Sequence, residues 1–183
     1  FDGVFANAKD FQTHALPVDQ SGKAYPISSS GGGIWYGDRK FKDLNGDGVI
    51  DSKDQTFLGS PIPKFQYGIN NTFNYKNFDL NIFFTAFYGN KVLNFLNLAI
   101  DNPNTTGNLT RRAAMDYAHL DLNDPSGSAN DVYNVYVSGG NPSMPRMSLN
   151  DVNNNNGLSS RFVEDGSYLR LQNVSLSYMF PNK

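Results

Sequence analysis

From Phe65 the chain alternates. Phe65, Tyr67, Ile69, Phe73 and Tyr75 fall on one face, interrupted by Asn71, while Gln66, Gly68, Asn70, Thr72 and Asn74 fall on the other. A period of two marks a strand whose sides meet different surroundings. The short turn Lys76-Asn77 leads into a second run, in which Phe78, Leu80, Ile82, Phe84, Ala86 and Tyr88 oppose Asp79, Asn81, Phe83, Thr85 and Phe87. Its lower half alternates cleanly and its upper half is apolar on both faces. Two runs joined this tightly predict a β-hairpin. The first covers eleven residues, near the roughly 9–11 that a tilted strand needs to cross a bilayer. Aromatic residues stand at both ends, as in the two interfacial girdles of a transmembrane barrel. A soluble sandwich hairpin with one buried face shows the same alternation.

A third strand is predicted over Tyr168–Phe180. Val174, Leu176, Tyr178 and Phe180 share a face, but Leu169 and Leu171 fall on the opposite phase. That reversal suggests a bulge, or an upper part that packs against other protein above the bilayer. PNK at 181–183 begins another short turn. Elsewhere the pattern is weaker. Residues 1–40 are loop-like, with Pro17, Pro26 and SSSGGG at Ser28–Gly33. GSPIP at Gly59–Pro63 forbids regular structure. Val92, Leu93, Leu96, Ala99 and Ile100 have helical spacing, and a second helix is predicted over Arg111–Leu120 with Thr110 as its N-cap. Residues 121–160 are rich in Asn, Asp, Gly, Ser and Pro, including NNNN at Asn153–Asn156; a connection this long is functional or disordered. No internal repeat of roughly 20–50 residues is present.

One stretch carries metal chemistry. DLNGDGVIDSKD at Asp43–Asp54 fits the calcium-loop template at every defined position. Asp43, Asn45 and Asp47 offer side-chain oxygens, Val49 a backbone carbonyl, and Asp51 a direct or water-mediated ligand. Asp54 closes the cage with a shorter reach than glutamate. Gly48 permits the sharp turn, and Ile50 can pin the loop to neighbouring structure. Such hard oxygens suit calcium. The flanks, YGDRKFK and QTFLGSPIP, are not helical, so this is a calcium-type loop outside a helix–loop–helix hand. An acidic turn closed by its own Asx hydrogen bonds is the other reading.

No catalytic constellation is visible. His14 and His119 stand alone and read as surface or packing residues. The serine-rich stretches lack a nucleophile elbow, Glu164-Asp165 reads as a turn, and GGG at Gly31–Gly33 lacks the lysine of a phosphate loop. The Asn104-Thr105-Thr106 triplet is a glycosylation sequon only in a secretory setting. An enzyme is therefore not expected.

Charge and composition narrow the class. The net charge of −2 argues against nucleic acid as a partner. Charged residues make up 17% and aromatic residues 14%, a balance that suits a girdled barrel. There is no cysteine, which excludes a disulfide framework and thiolate metal sites. No apolar run reaches the roughly 18 residues of a spanning helix, so any membrane crossing is of the β type. The chain opens on Phe1 and stops at Lys183 after a strand-like run, as expected of a piece of a longer protein.

Two segments carry a family likeness. GDRKFKDLNGDGVIDSKDQTFLGSPIPKFQYGINNTFNYKNFDLNIFFTAFYGNKVLN at Gly37–Asn94 and RFVEDGSYLRLQNVSLSYMFP at Arg161–Pro181 together cover about 80 of the 183 residues. In order and spacing they resemble the late barrel of SusC/RagA-family TonB-dependent outer-membrane transporters of Bacteroidetes. The resemblance implies an all-β fold, a fragment of a large antiparallel transmembrane β-barrel with long extracellular loops carrying short helices. Barrels of this type have about 22 strands and a plugged lumen. It further implies a SusD-like surface lipoprotein as lid, TonB as energy source through parts absent here, outer-membrane lipid around the wall, and oligosaccharide or peptide as cargo.

On that footing residues 1–64 form an extracellular loop region that includes the calcium-type loop, 65–88 a transmembrane hairpin, 89–165 a long extracellular loop with short helices, and 166–183 a further strand and turn. Calcium is expected to be structural. Trp35, Tyr36, Tyr133 and Tyr136 are candidate substrate-stacking residues, with packing inside the loop layer as the alternative. The competing function is a secreted or surface calcium-stabilised β-domain for glycan binding or adhesion.

Overall fold

A computed structural model describes residues 1–102, 104 and 107–181. The Asn104-Thr105-Thr106 triplet and the turn expected at 181–183 therefore fall at least partly outside the described residues. In chain order the elements are α1 (Ala8–Thr13), β1 (Leu16–Pro17), β2 (Val49–Ile50), β3 (Phe65–Tyr75), β4 (Phe78–Tyr88), β5 (Lys91–Leu93), α2 (Phe95–Ile100), α3 (Arg111–Met115), β6 (His119–Leu122), β7 (Val135–Gly139), β8 (Val163–Asp165) and β9 (Tyr168–Tyr178). The fold is mostly strands, paired largely antiparallel, with a few short helices. The chain divides into two compact units, Phe1–Phe57 with Asn94–Phe162, and Leu58–Leu93 with Val163–Lys183.

The second unit is a β3-β4-β9 sheet of three eleven-residue antiparallel strands. The β3–β4 pairing runs without interruption from Phe65 opposite Tyr88 to Tyr75 opposite Phe78. Lys76 closes the turn in the left-handed region at φ 52°. The β4–β9 pairing slips once, where Phe83 faces Asn173 but Phe84 faces Leu171, leaving Gln172 as the extra residue. That bulge resolves the phase reversal seen in the sequence. A residue inserted into one strand moves everything beyond it to the other face. Leu169 and Leu171 thereby come to the same side as Val174, Leu176 and Tyr178. Beyond Gly89, at φ 83°, the ladder resumes as β5 with β8, tied by the Lys91–Asp165 ion pair at 3.2 Å.

The first unit has a small aromatic core. Phe5, Phe11, Ile34, Trp35, Tyr36 and Val135 are buried together, with Leu16, Tyr25 and Val137 packed against them. Phe5 stacks on Phe11 at 4.7 Å, and Tyr36 meets Phe11 edge-on at 5.0 Å. Asn7 and Asp10 cap α1 reciprocally and so present Phe11 inward.

The predicted helix over Arg111–Leu120 is corrected here. The helix ends at Met115, and His119–Leu122 pairs with Val135–Gly139 as a hairpin. Val92 and Leu93 belong to β5, so the helix with that spacing begins only at Phe95. The asparagine run also has structure. Asn153 and Asn155 are buried and bond to Asp38, Arg39 and each other over 2.7–2.9 Å. Asp38 further accepts both Nε and Nη2 of Arg146, at 2.6 and 3.0 Å. A polar segment with few apolar side chains is thus fixed by buried hydrogen bonds, although Asn153 Oδ1 and Arg39 Nε stay without a partner among the described residues.

Candidate functional site

The acidic loop is built by its own side chains. Asp43 accepts the Gly46 and Gly48 N–H groups at 2.6 and 2.9 Å. Asn45 accepts from Asp47 N–H at 3.0 Å, and Asp47 from Val49 N–H at 3.1 Å. Gly46 and Gly48 sit at φ 75° and 85°, where a side chain is strained. Ile50 is buried, and β2 pairs in parallel with β1, so the loop is pinned where the apolar position predicted. Asp51 then caps a short 3-10 turn over Ser52–Asp54. The Asp54 carboxylate takes the N–H groups of Asp51 and Leu44 at 2.9 and 2.8 Å. Those bonds favour its charged form and hold its pKa below the ordinary aspartate range.

This arrangement brings the metal-loop residues together as a chain of Asx turns. Lys53 lies 3.8 Å from Asp47 and 3.5 Å from Asp51 and partly neutralises both. Among the described residues, no three His, Cys, Asp or Glu side chains are gathered closely enough to hold a metal ion. The donor chemistry remains that of a hard-cation loop: carboxylate, amide and carbonyl oxygens.

Trp35 and Tyr36 are 4% and 0% exposed and form the core of their unit, so neither ring offers a face to a ligand. Their expected stacking role is replaced by packing. Tyr36 donates its hydroxyl to the Val132 carbonyl. Tyr133 is open to solvent and Tyr136 lies half-buried in β7, opposite Asp121. His14 is a packing residue, its Nε2 2.7 Å from the Phe41 carbonyl and its ring edge-on to Phe5.

The sheet of the second unit has two distinct faces, because residues paired across an antiparallel ladder share a side. One side carries Tyr75, Phe78 and Tyr178 at the turn end. Above them come Phe73, Leu80 and Leu176, then Ile82 and Val174 beside the single polar residue Asn71, then Ile69, Phe84 and Leu171, and finally Phe65, Tyr67 and Tyr88. It is apolar through the middle apart from Asn71, aromatic at both ends, and exposed: Ile69 and Phe73 are each 57% open and Leu176 is 68% open. The other side is polar near the turn, where Asn74 bonds Asp79 at 2.5 Å and Asn81 bonds Thr72 at 3.0 Å. An exposed apolar face this continuous needs a nonaqueous neighbour.

No family model matches the chain. It is 35% identical over 149 residues, 79% of its length, to TonB-dependent receptor P3 of Formosa agariphila. It is 34% identical over 146 residues to TonB-dependent receptor P26 of the same organism. The chain belongs with the TonB-dependent receptors. It spans about an eighth of the length of these curated relatives, 12% of one and 13% of the other. TonB-dependent receptors are outer-membrane proteins of Gram-negative bacteria, and the outer membrane is the location of this chain. Hydrocarbon is then the natural cover for the exposed apolar face.

Sequence reasoning did not assemble the buried network of Asp38, Arg146, Asn153 and Asn155, whose members lie more than a hundred residues apart. It also left Arg170 without a face, because the bulge position decides which side that residue takes.

Proposed function

We propose that this segment is part of the barrel wall and outer loops of a TonB-dependent transporter of the SusC/RagA kind. It imports oligosaccharides or peptides, works with a SusD-like surface lipoprotein, and draws energy from TonB through parts of the receptor beyond this segment. The observation that carries the reading is the single apolar face shared by three eleven-residue strands, with aromatic residues at both ends. Its length suits a bilayer, and the opposite face suits a polar lumen. The segments leading to residues 1–57 and 94–162 leave the sheet at the strand ends opposite the Lys76-Asn77 turn. In this reading the tight turn is periplasmic and the long segments, with the acidic loop, are extracellular. The loop holds a structural calcium ion through Asp43, Asn45, Asp47, Val49, Asp51 and Asp54, stiffening a rim that has little core of its own.

Deleting the full-length receptor gene and measuring uptake of labelled oligosaccharides and peptides tests the proposal. Loss of one substrate class, restored by the intact receptor and abolished again without TonB, is expected. Uptake of every probe at the parental rate would refute it.

A further inference from the structure

The polar side of the sheet changes character along its length. Near the turn its side chains bond one another. At the opposite end it carries Phe83, Phe87, Tyr168 and Arg170, brought to one side by the ladder and by the Gln172 bulge. The Phe87 and Tyr168 rings pack against each other as a tilted pair, their centroids 5.2 Å apart and their planes 30° from parallel. Phe83 leans over Gly68, its ring edge 3.5 Å from where a Cβ would stand, an ordinary contact distance. Arg170 lies over Tyr168, its guanidinium 4.9 Å from the ring centre. Among the described residues no carboxylate pairs with Arg170.

We infer that Phe83, Phe87, Tyr168 and Arg170 form a lumenal contact site for an acidic oligosaccharide. The inference rests on the transporter reading and names the substrate class for it. The outward face of such an aromatic pair, on the partly exposed Tyr168, suits the apolar face of a pyranose. An unpaired guanidinium held in place by an aromatic neighbour offers two parallel N–H donors to a carboxylate or sulfate group.

The test uses the full-length receptor, purified in detergent, with trigalacturonate, maltotriose and triglutamate as probes. Trigalacturonate is expected to bind most tightly. Arg170→Gln should weaken it about tenfold or more and remove most of its salt dependence. Tyr168→Ala should weaken it by a similar factor at all salt concentrations. Ser175→Ala, on the same side near the turn, should leave binding unchanged. Tighter binding of maltotriose or triglutamate would overturn the assignment. So would unchanged binding in both patch variants, or variants that alter only the heat-modifiable folding shift, which would make the patch a packing surface. Uptake by cells separates the two readings. TonB-independent uptake with patch-dependent binding would refute the transporter reading alone. TonB-dependent uptake indifferent to both variants would refute the patch alone.

Discussion

Two buried carboxylates show how single residues organise the loop unit. Asp38 is fully buried and accepts from Arg146, Asn155 and the Trp35 N–H. Asp101 does the same for Arg112, Arg161 and Thr110. Removing one partner of a buried pair strands the other's charge, which costs about 3–5 kcal/mol. Asp38→Ala in the full receptor should therefore expose residues 141–160 to protease while leaving the strands protected; equal resistance to the parent would show that the network is dispensable. The acidic loop gives a second residue-scale expectation. Calcium should slow amide exchange across 43–54, and Asp43→Ala should abolish that protection. Because the folded pKa of Asp54 is depressed, its contribution is full above the unfolded aspartate value near 4 and fades as pH falls through the folded value. Loop protection should decline on acidification below about pH 4. Exchange indifferent to calcium, chelator and Asp43→Ala would rule out the metal role.

At the scale of elements, the strands were legible and the loops were not. Alternation alone placed Phe65–Tyr75 and Phe78–Tyr88 at their observed bounds, because each side chain's neighbour is set by a period of two. The phase reversal at Leu169 and Leu171 signalled the bulge, though not that Gln172 is its extra residue. The β6–β7 hairpin escaped because HLDL and VYVSG are only four and five residues long and are separated by turn-rich sequence. The short helices were legible through Thr110 and the spacing of Leu96 and Ile100, but their ends depended on tertiary partners. For Trp35 and Tyr36 packing within the loop layer is the favoured reading over a ligand platform, and burial agrees with packing. The bulge makes a sharp prediction. Deleting Gln172 moves Tyr168–Leu171 to the opposite faces, turning Arg170 toward lipid and Leu169 and Leu171 toward the lumen. An outward arginine costs about 2–4 kcal/mol at the bilayer midplane and less near an interface. The deletion should lower the fraction of receptor showing the folded, heat-modifiable band; a wild-type fraction would mean the register tolerates the slip.

For the whole molecule, the same alternation serves two purposes. In the proposed barrel, side chains such as Ile82, Phe84 and Val174 would meet hydrocarbon, while Asn81, Thr85 and Ser175 would line the passage. One strand would thus supply both the anchor and the wall of the conduit. Both purposes require that the exposed apolar face be covered by lipid, and that can be measured directly. Single spin labels placed in turn at Ile69 through Phe73, Leu80 through Thr85, and Leu169 through Leu176 of the full-length receptor in outer-membrane lipid would report oxygen and nickel-chelate accessibility. The expected result is a two-residue oscillation, with oxygen favoured at Ile69, Phe73, Ile82, Phe84 and Val174, and the chelate favoured at Thr72, Asn81, Thr85 and Ser175. Leu169 and Leu171 should stay with the lipid-facing set across Gln172. Uniform accessibility, or chelate reaching the aliphatic positions as readily as the polar ones, would contradict the account.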